Sequence, residues 1–109
     1  MIYKYDEINK RIINEGFNVV DIYKEQTLKM DYVVVNLNGE HGCCINQKST
    51  KYWIILDGKA TAYLGDEVCE VEQGDFLVIN KNVMHNIIGK VKFGVICIPA
   101  FDNSAEIYY

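Results

Sequence analysis

The chain has 109 residues, the size of one domain of about 100–150 residues, and 50% of them are hydrophobic, enough for one buried core and too many for a disordered tail. Fifteen acidic against eleven basic residues, with no basic stripe, argue against a nucleic-acid binder. The apolar runs Val33–Val35 and Trp53–Leu56 fall far short of the roughly 18–20 residues a membrane helix needs, and Met1–Asp6 lacks the apolar stretch of a signal peptide, so a cytoplasmic protein is expected.

Residues 1–16 read as a short amphipathic helix. Tyr5, Ile8, Ile12 and Ile13 gather on one helical face, Lys4, Glu7, Lys10, Arg11 and Asn14 lie elsewhere, and Gly16 is a natural stop. Residues 17–99 then alternate strand and turn. Phe17–Tyr23 and Tyr32–Leu37 are β-branched and aromatic, with a turn at Asn38-Gly39. Lys51–Leu56 and Lys59–Tyr63 read as a hairpin closed by Asp57-Gly58. Glu67–Val71, Phe76–Ile79, Met84–Ile88 and Val91–Ile98 follow as strands, and residues 100–109 form a tail. Many short strands with frequent turn signals predict an all-β sandwich or barrel in a single domain.

The four cysteines, Cys43, Cys44, Cys69 and Cys97, contain no CxxC pair, which leaves a zinc ribbon poorly supported. Reduced thiols, packed in strands as small hydrophobes, are expected instead.

The stretch Tyr52–Ala60, the stretch Val71–Ile79 and His85 together resemble the cupin superfamily. Gly58 fits the glycine of the first cupin motif. Gly74 and His85 fit the two ends of the second motif, with Asn80 and Asn82 standing where the family has proline and glycine. The wording around Trp53 is most similar to cupin modules of sugar-phosphate and sugar-nucleotide enzymes. The resemblance implies a double-stranded β-helix, that is, a jelly-roll barrel carrying the N-terminal helix, and a homodimer.

Cupin enzymes hold Fe, Mn, Zn or Ni with two histidines and a carboxylate from the first motif and one histidine from the second. By that resemblance the carboxylate position is Lys51 and the two histidine positions fall near Cys44 and Asn46, so only His85 matches. An ammonium repels a dication and asparagine is a poor transition-metal ligand, so no bound metal is favoured. If one binds, the set is His85, Cys44 and His41, although His41, between Gly39 and Gly42, reads as an exposed loop residue.

Strand alternation sends Lys51, Trp53 and Ile55 to one face, the barrel interior in the family, beside His85. A buried lysine needs an anionic partner, which suggests a carboxylate or phosphate ligand. Trp53 offers a flat wall for a sugar or nucleobase, and Tyr32, Tyr63 and Asn46 are candidate hydrogen-bonding groups. The candidate ligand-binding set is therefore Cys44, Asn46, Lys51, Trp53, Tyr63 and His85, with His85 the candidate general base because imidazole titrates near neutrality.

The leading expectation is a small cupin with a degenerate metal site, binding a small anionic, sugar-like metabolite. The alternatives are a metal-independent sugar or sugar-nucleotide isomerase or epimerase using His85, a metal enzyme with the unusual Cys44/His85/His41 set, and a barrel whose task is to pair with another protein.

Overall fold

The computed structural model describes residues 1–109 and contains nine strands: β1 (Lys10–Asn14), β2 (Phe17–Lys24), β3 (Asp31–Glu40), β4 (Cys44–Asn46), β5 (Thr50–Leu64), β6 (Glu67–Glu72), β7 (Phe76–Ile79), β8 (His85–Ile98) and β9 (Glu106–Tyr108). One sheet runs β1-β2-β3-β8-β4-β9, with β5 branching from β8 and carrying β6 and β7. All pairings are antiparallel. The all-β jelly-roll expectation holds. No helix is long and apolar enough to cross a membrane.

The sheet curls on itself, and this curl makes the site. Lys51 pairs with Cys97 at one end of the β5–β8 ladder and His85 pairs with Leu64 at the other, yet their side chains meet at 3.0 Å. Between the facing parts of the sheet lies a core that includes Phe17, Val35, Trp53, Ile55, Ile79, Ile87 and Phe93.

The expected N-terminal helix is absent. Only Glu7–Asn9 turns, as a 3-10 segment capped by Asp6, and Lys10–Asn14 is the edge strand β1. The apolar residues that suggest a helical face include Ile12 and Ile13, β-branched residues at home in a strand, and β2 offers them a ladder from Lys10↔Val20 to Asn14↔Phe17. Gly16 serves a hairpin, not a helix end: its φ is +76°, and a Cβ there would collide with the Asn38 carbonyl oxygen.

Two pairs of strands expected to be separate are single long strands. Asp57-Gly58 continues β5 and pairs with Lys92 and Val91 of β8, just after a bulge at Leu56 where the register shifts between Ile55 and Asp57. Gly58 has φ +86° and lies against the Lys90 backbone, an approach no side chain permits. Likewise Met84–Ile88 and Val91–Ile98 merge into β8 through Gly89. Asn82 takes φ +67°, the left-handed backbone that the glycine of the second cupin motif would supply. Two short strands carried no readable pattern: β4, and β9 in the C-terminal tail, which pair with each other.

Candidate functional site

Strand alternation in β5 places Lys51, Trp53 and Ile55 inward, as expected, with exposures of 4%, 1% and 1%. Lys51 Nζ donates to Glu106 Oε1 at 2.5 Å and to His85 Nε2 at 3.0 Å. The other Glu106 oxygen accepts from Asn46 Nδ2 at 2.7 Å, and the Cys44 thiol donates to Oε1 at 3.1 Å. Asn46 is fixed in turn by the Lys48 and Ser49 amides, which both donate to its Oδ1. Cys44 and Asn46 reach Glu106 because β4 and β9 pair, with Asn46 opposite Glu106 itself. The anion that a buried Lys51 requires is therefore supplied by the chain, so Lys51 does not demand an anionic ligand. Burial alone would push the Glu106 carboxyl up, but the Lys51 charge and the hydrogen bonds of Lys51, Asn46 and Cys44 outweigh it and hold the carboxyl below its ordinary value.

His85 Nδ1 donates to the Val83 carbonyl at 2.9 Å, which leaves Nε2 as the acceptor for Lys51. Burial, followed by the Lys51 charge, lowers its pKa to about 4. A depressed histidine pKa means that protons bind the unfolded chain first. The stability it contributes is complete above pH ~6.5 and is lost as pH falls toward 4, up to about 3 kcal/mol. Urea denaturation across that window is expected to show the decline, and His85→Gln is expected to flatten it.

Cys44, His85 and Glu106 present three ligand atoms within 4.8 Å of one another. Neutral His85 has one free lone pair, on Nε2, and the Lys51 ammonium takes it. A divalent ion would displace that hydrogen bond and sit beside a fixed positive charge. At about 4 Å and an effective dielectric near 20, that repulsion is roughly 8 kcal/mol. With Lys51 in place the donor set does not fit a dication. His41, the third member of the expected set, turns Nδ1 to the Gly42 carbonyl at 2.9 Å and stands 4.0 Å from the Cys44 sulfur.

Above this network opens a cavity of about 1170 Å³. Lys51, Glu106, His41 and Trp53 line it, whereas Cys44, Asn46 and His85 touch Lys51 or Glu106 from behind and are not on its wall. Tyr63, an expected ligand contact, is absent from the wall: it alternates with inward Ala62 and is 37% exposed on the outer face. The bulge in β5 shifts which residues turn inward after it. Tyr32 also faces away, with its ring against Gly94.

His41 is not the exposed loop residue expected. It is 9% exposed and stands between the Phe17 and Trp53 rings, 5.1 and 5.5 Å away. Asn86 holds its loop, accepting from the Gly42 amide and donating to Glu40, while the His41 amide donates to Ile87. With Nδ1 engaged by Gly42, the Nε2 of His41 has no partner in the protein and faces the cavity. Burial lowers its pKa, which favours the neutral imidazole with its lone pair on Nε2. Arg11, Lys24 and Lys51 line the cavity against Asp21, Asp31, Glu40 and Glu106, and Arg11 is held by Asp21 at 2.6 and 2.9 Å. The wall is thus not basic in balance.

A barrel of this topology, with the ends of a second cupin motif at Gly74 and His85, defines a class that family comparison names. The Cupin domain family matches residues 31–98, and the chain belongs to it. No curated protein sequence matches the chain. Among solved structures, the Streptomyces nucleoside dehydratase Pac13 is similar with a TM-score of 0.85 and 19% identity, over 100% of this chain and 92% of that one. Variants of Pac13 have been solved with uridine. KdgF from Halomonas is similar with a TM-score of 0.86 and 14% identity, over 95% and 97% of the two chains. A predicted oxalate decarboxylase from Thermotoga maritima has a TM-score of 0.80 and 15% identity, over 91% and 99%. At these identities the likeness is one of fold.

Proposed function

We propose that this cupin performs metal-independent acid–base chemistry on a neutral, hydroxyl-bearing, sugar-like metabolite in the barrel cavity. The observation that carries the reading is the pairing of a partnerless His41 Nε2 on the cavity wall with a fixed ammonium, Lys51, on the same wall. His41 removes a proton from carbon adjacent to a carbonyl, and the C–H electron pair moves into an enolate. Lys51, already oriented by Glu106 and His85, stabilises the developing oxyanion without reorganising. His85 is a positioning residue here, because it reaches the reaction only through Lys51. Returning the proton to carbon gives isomerisation or epimerisation; if the enolate instead expels a β-hydroxyl, its C–O bond breaks and the proton on His41 passes to the departing oxygen, giving water and dehydration. The fold likeness to a nucleoside dehydratase solved with uridine is consistent with this chemistry and makes uridine the first binding probe.

The test is proton NMR in deuterium oxide with uridine and a panel of keto and aldehydo sugars. Deuterium entering carbon adjacent to a carbonyl faster than in buffer, and lost in His41→Gln, supports the reading. Folded protein that is stabilised by a probe but exchanges none returns the cavity to a pure binding role. Folded protein that neither binds nor exchanges any probe removes the proposal.

A second copy of the chain is part of the same reading. Phe76 and Val78 are 58% and 48% exposed on the outer face, beside Tyr52, whose ring stacks on Phe76 at 6.0 Å. Light scattering is expected to report a dimer that Phe76→Asp weakens; a monomer at high concentration contradicts it.

A further inference from the structure

The two ends of the cavity differ in exposure. His41, Trp53 and Phe17 are buried, whereas Ile22, Val33 and Phe101 are half-buried and Arg11 and Ile13 are exposed, so the cavity opens toward β1 and the end of β2. Its volume of about 1170 Å³ exceeds the roughly 300–1,000 Å³ of pockets that enclose a whole drug-sized ligand. A single sugar ring at His41 and Lys51 leaves most of it unfilled.

The outer half has its own construction. The register of β2 against β3 shifts between Asp21 and Tyr23, which makes Ile22 an extra residue. Asp21 and Ile22 therefore both line the cavity, where strict alternation would send one of them out. Val33 pairs with Asp21. Phe101 is tied to the same corner: its amide donates to Asp31 at 3.0 Å, its carbonyl accepts from Lys24 at 3.4 Å, and Asp31 and Lys24 are paired. The Phe101 ring centroid lies 5.9 Å from Lys51 Nζ, so this apolar corner adjoins the reactive ammonium. Arg11 stands at its rim. Its guanidinium is held by both Asp21 oxygens, at 2.6 and 2.9 Å, and its side chain is 53% exposed. Asp21 answers its charge, so Arg11 is no receptor for an anion, but a planar guanidinium stacks well on an aromatic face.

We propose that Ile22, Val33, Phe101 and Arg11 form a subsite for a flat aromatic group carried by the sugar, so that the preferred substrate is an aryl- or base-substituted glycoside and not a free sugar. This rests on the reading of His41 and Lys51 as the reactive pair. The aromatic group removes its own apolar surface and that of Ile22, Val33 and Phe101 from water, and it lies against the fixed guanidinium of Arg11. Held there, it sets the sugar beside Lys51. A phenyl ring and a pyrimidine base share this chemistry.

The test is a titration of the ¹⁵N-labelled protein, read at backbone amides, with methyl β-D-ribofuranoside, phenyl β-D-ribofuranoside and uridine. The phenyl riboside is expected to bind at least about tenfold more tightly than the methyl riboside. Phe101→Leu keeps apolar bulk and loses the ring, and Ile22→Ala trims the bulge residue. Each is expected to cut the phenyl preference about three- to tenfold and to leave the affinity for the methyl riboside unchanged. Whichever of the phenyl riboside and uridine binds more tightly identifies the group as aryl or nucleobase, and either order supports the subsite. Equal affinity for the two ribosides, with shifts at His41 and Lys51, overturns the subsite and leaves the proposed chemistry standing. A phenyl preference that both variants leave intact places the ring elsewhere and likewise overturns it. A folded protein in which no probe moves any resonance overturns both readings.

Discussion

Lys51→Met is expected to lower unfolding free energy by about 3–5 kcal/mol at neutral pH, the largest stability effect of any single change in the site. The variant leaves Glu106 buried as an unpaired carboxylate, with only Asn46 and Cys44 donating to it, and takes the donor from His85. Both ion-pair side chains are almost entirely enclosed, at 5% and 2% exposure, so water cannot substitute for the missing ammonium. The double variant Lys51→Met/Glu106→Leu removes both charges and is expected to recover most of the loss, because two matched apolar groups carry no desolvation cost. Urea denaturation of the two variants and the parent is the measurement. If the single variant is as stable as the parent, the pair is solvated and the enclosed network described here does not exist.

The second large effect concerns proton transfer. His41→Gln is expected to reduce deuterium exchange into a sugar substrate by about 10²–10⁴, with the fold retained, since it removes the base while leaving a side chain of comparable reach between Phe17 and Trp53. His85→Gln is expected to act differently. His85 is off the cavity wall and holds Lys51 Nζ, so its loss should lower turnover more than it weakens binding and should move the acid stability profile. Exchange rates, affinity for uridine and urea midpoints measured on both variants separate the two roles. A His41→Gln variant with undiminished exchange would return the base to another group.

How much of this was visible in the residues alone depends on whether a feature is local. The alternation Lys51, Trp53, Ile55 has period two, so the inward face of β5 could be assigned without a structure. The spacing from Gly74 to His85 carries the second motif, and Asn82 at φ +67° shows that asparagine fills the left-handed position. Local signals also misled. Tyr5, Ile8, Ile12 and Ile13 satisfy a helical period, but an edge strand was available at β2 and isoleucines pair there as readily. Asp57-Gly58 has hairpin chemistry and yet follows a bulge at Leu56 inside a strand, because it and its neighbours pair with a long partner strand and not with each other. Tyr63 was misassigned for the same reason, since the bulge resets the alternation.

The residues that complete the site are non-local, and no spacing rule reaches them. Glu106 lies in the tail and meets Lys51 only because β9 pairs with β4. The requirement that a buried lysine find an anion was readable; that its own chain supplies it was not. Asp31, an acid just before an apolar strand, carries no local sign of its burial, which comes from Cys97 and Phe101. His41 looked exposed between two glycines, and Asn86, forty-four residues away from Gly42 along the chain, fixes it inward.

The Lys51 ammonium occupies the centre of the Cys44, His85 and Glu106 donor set and keeps a metal ion out of it. The most direct measurement is divalent-metal content after incubation with Fe, Mn, Zn or Ni in turn and dialysis, for the parent, Lys51→Ala and His85→Ala. Far less than one equivalent is expected in the parent, with bound metal appearing in Lys51→Ala as Cys44, His85 and Glu106 are released from the ammonium. One equivalent in the parent, lost in His85→Ala, would contradict it and return the protein to the metal-dependent cupins.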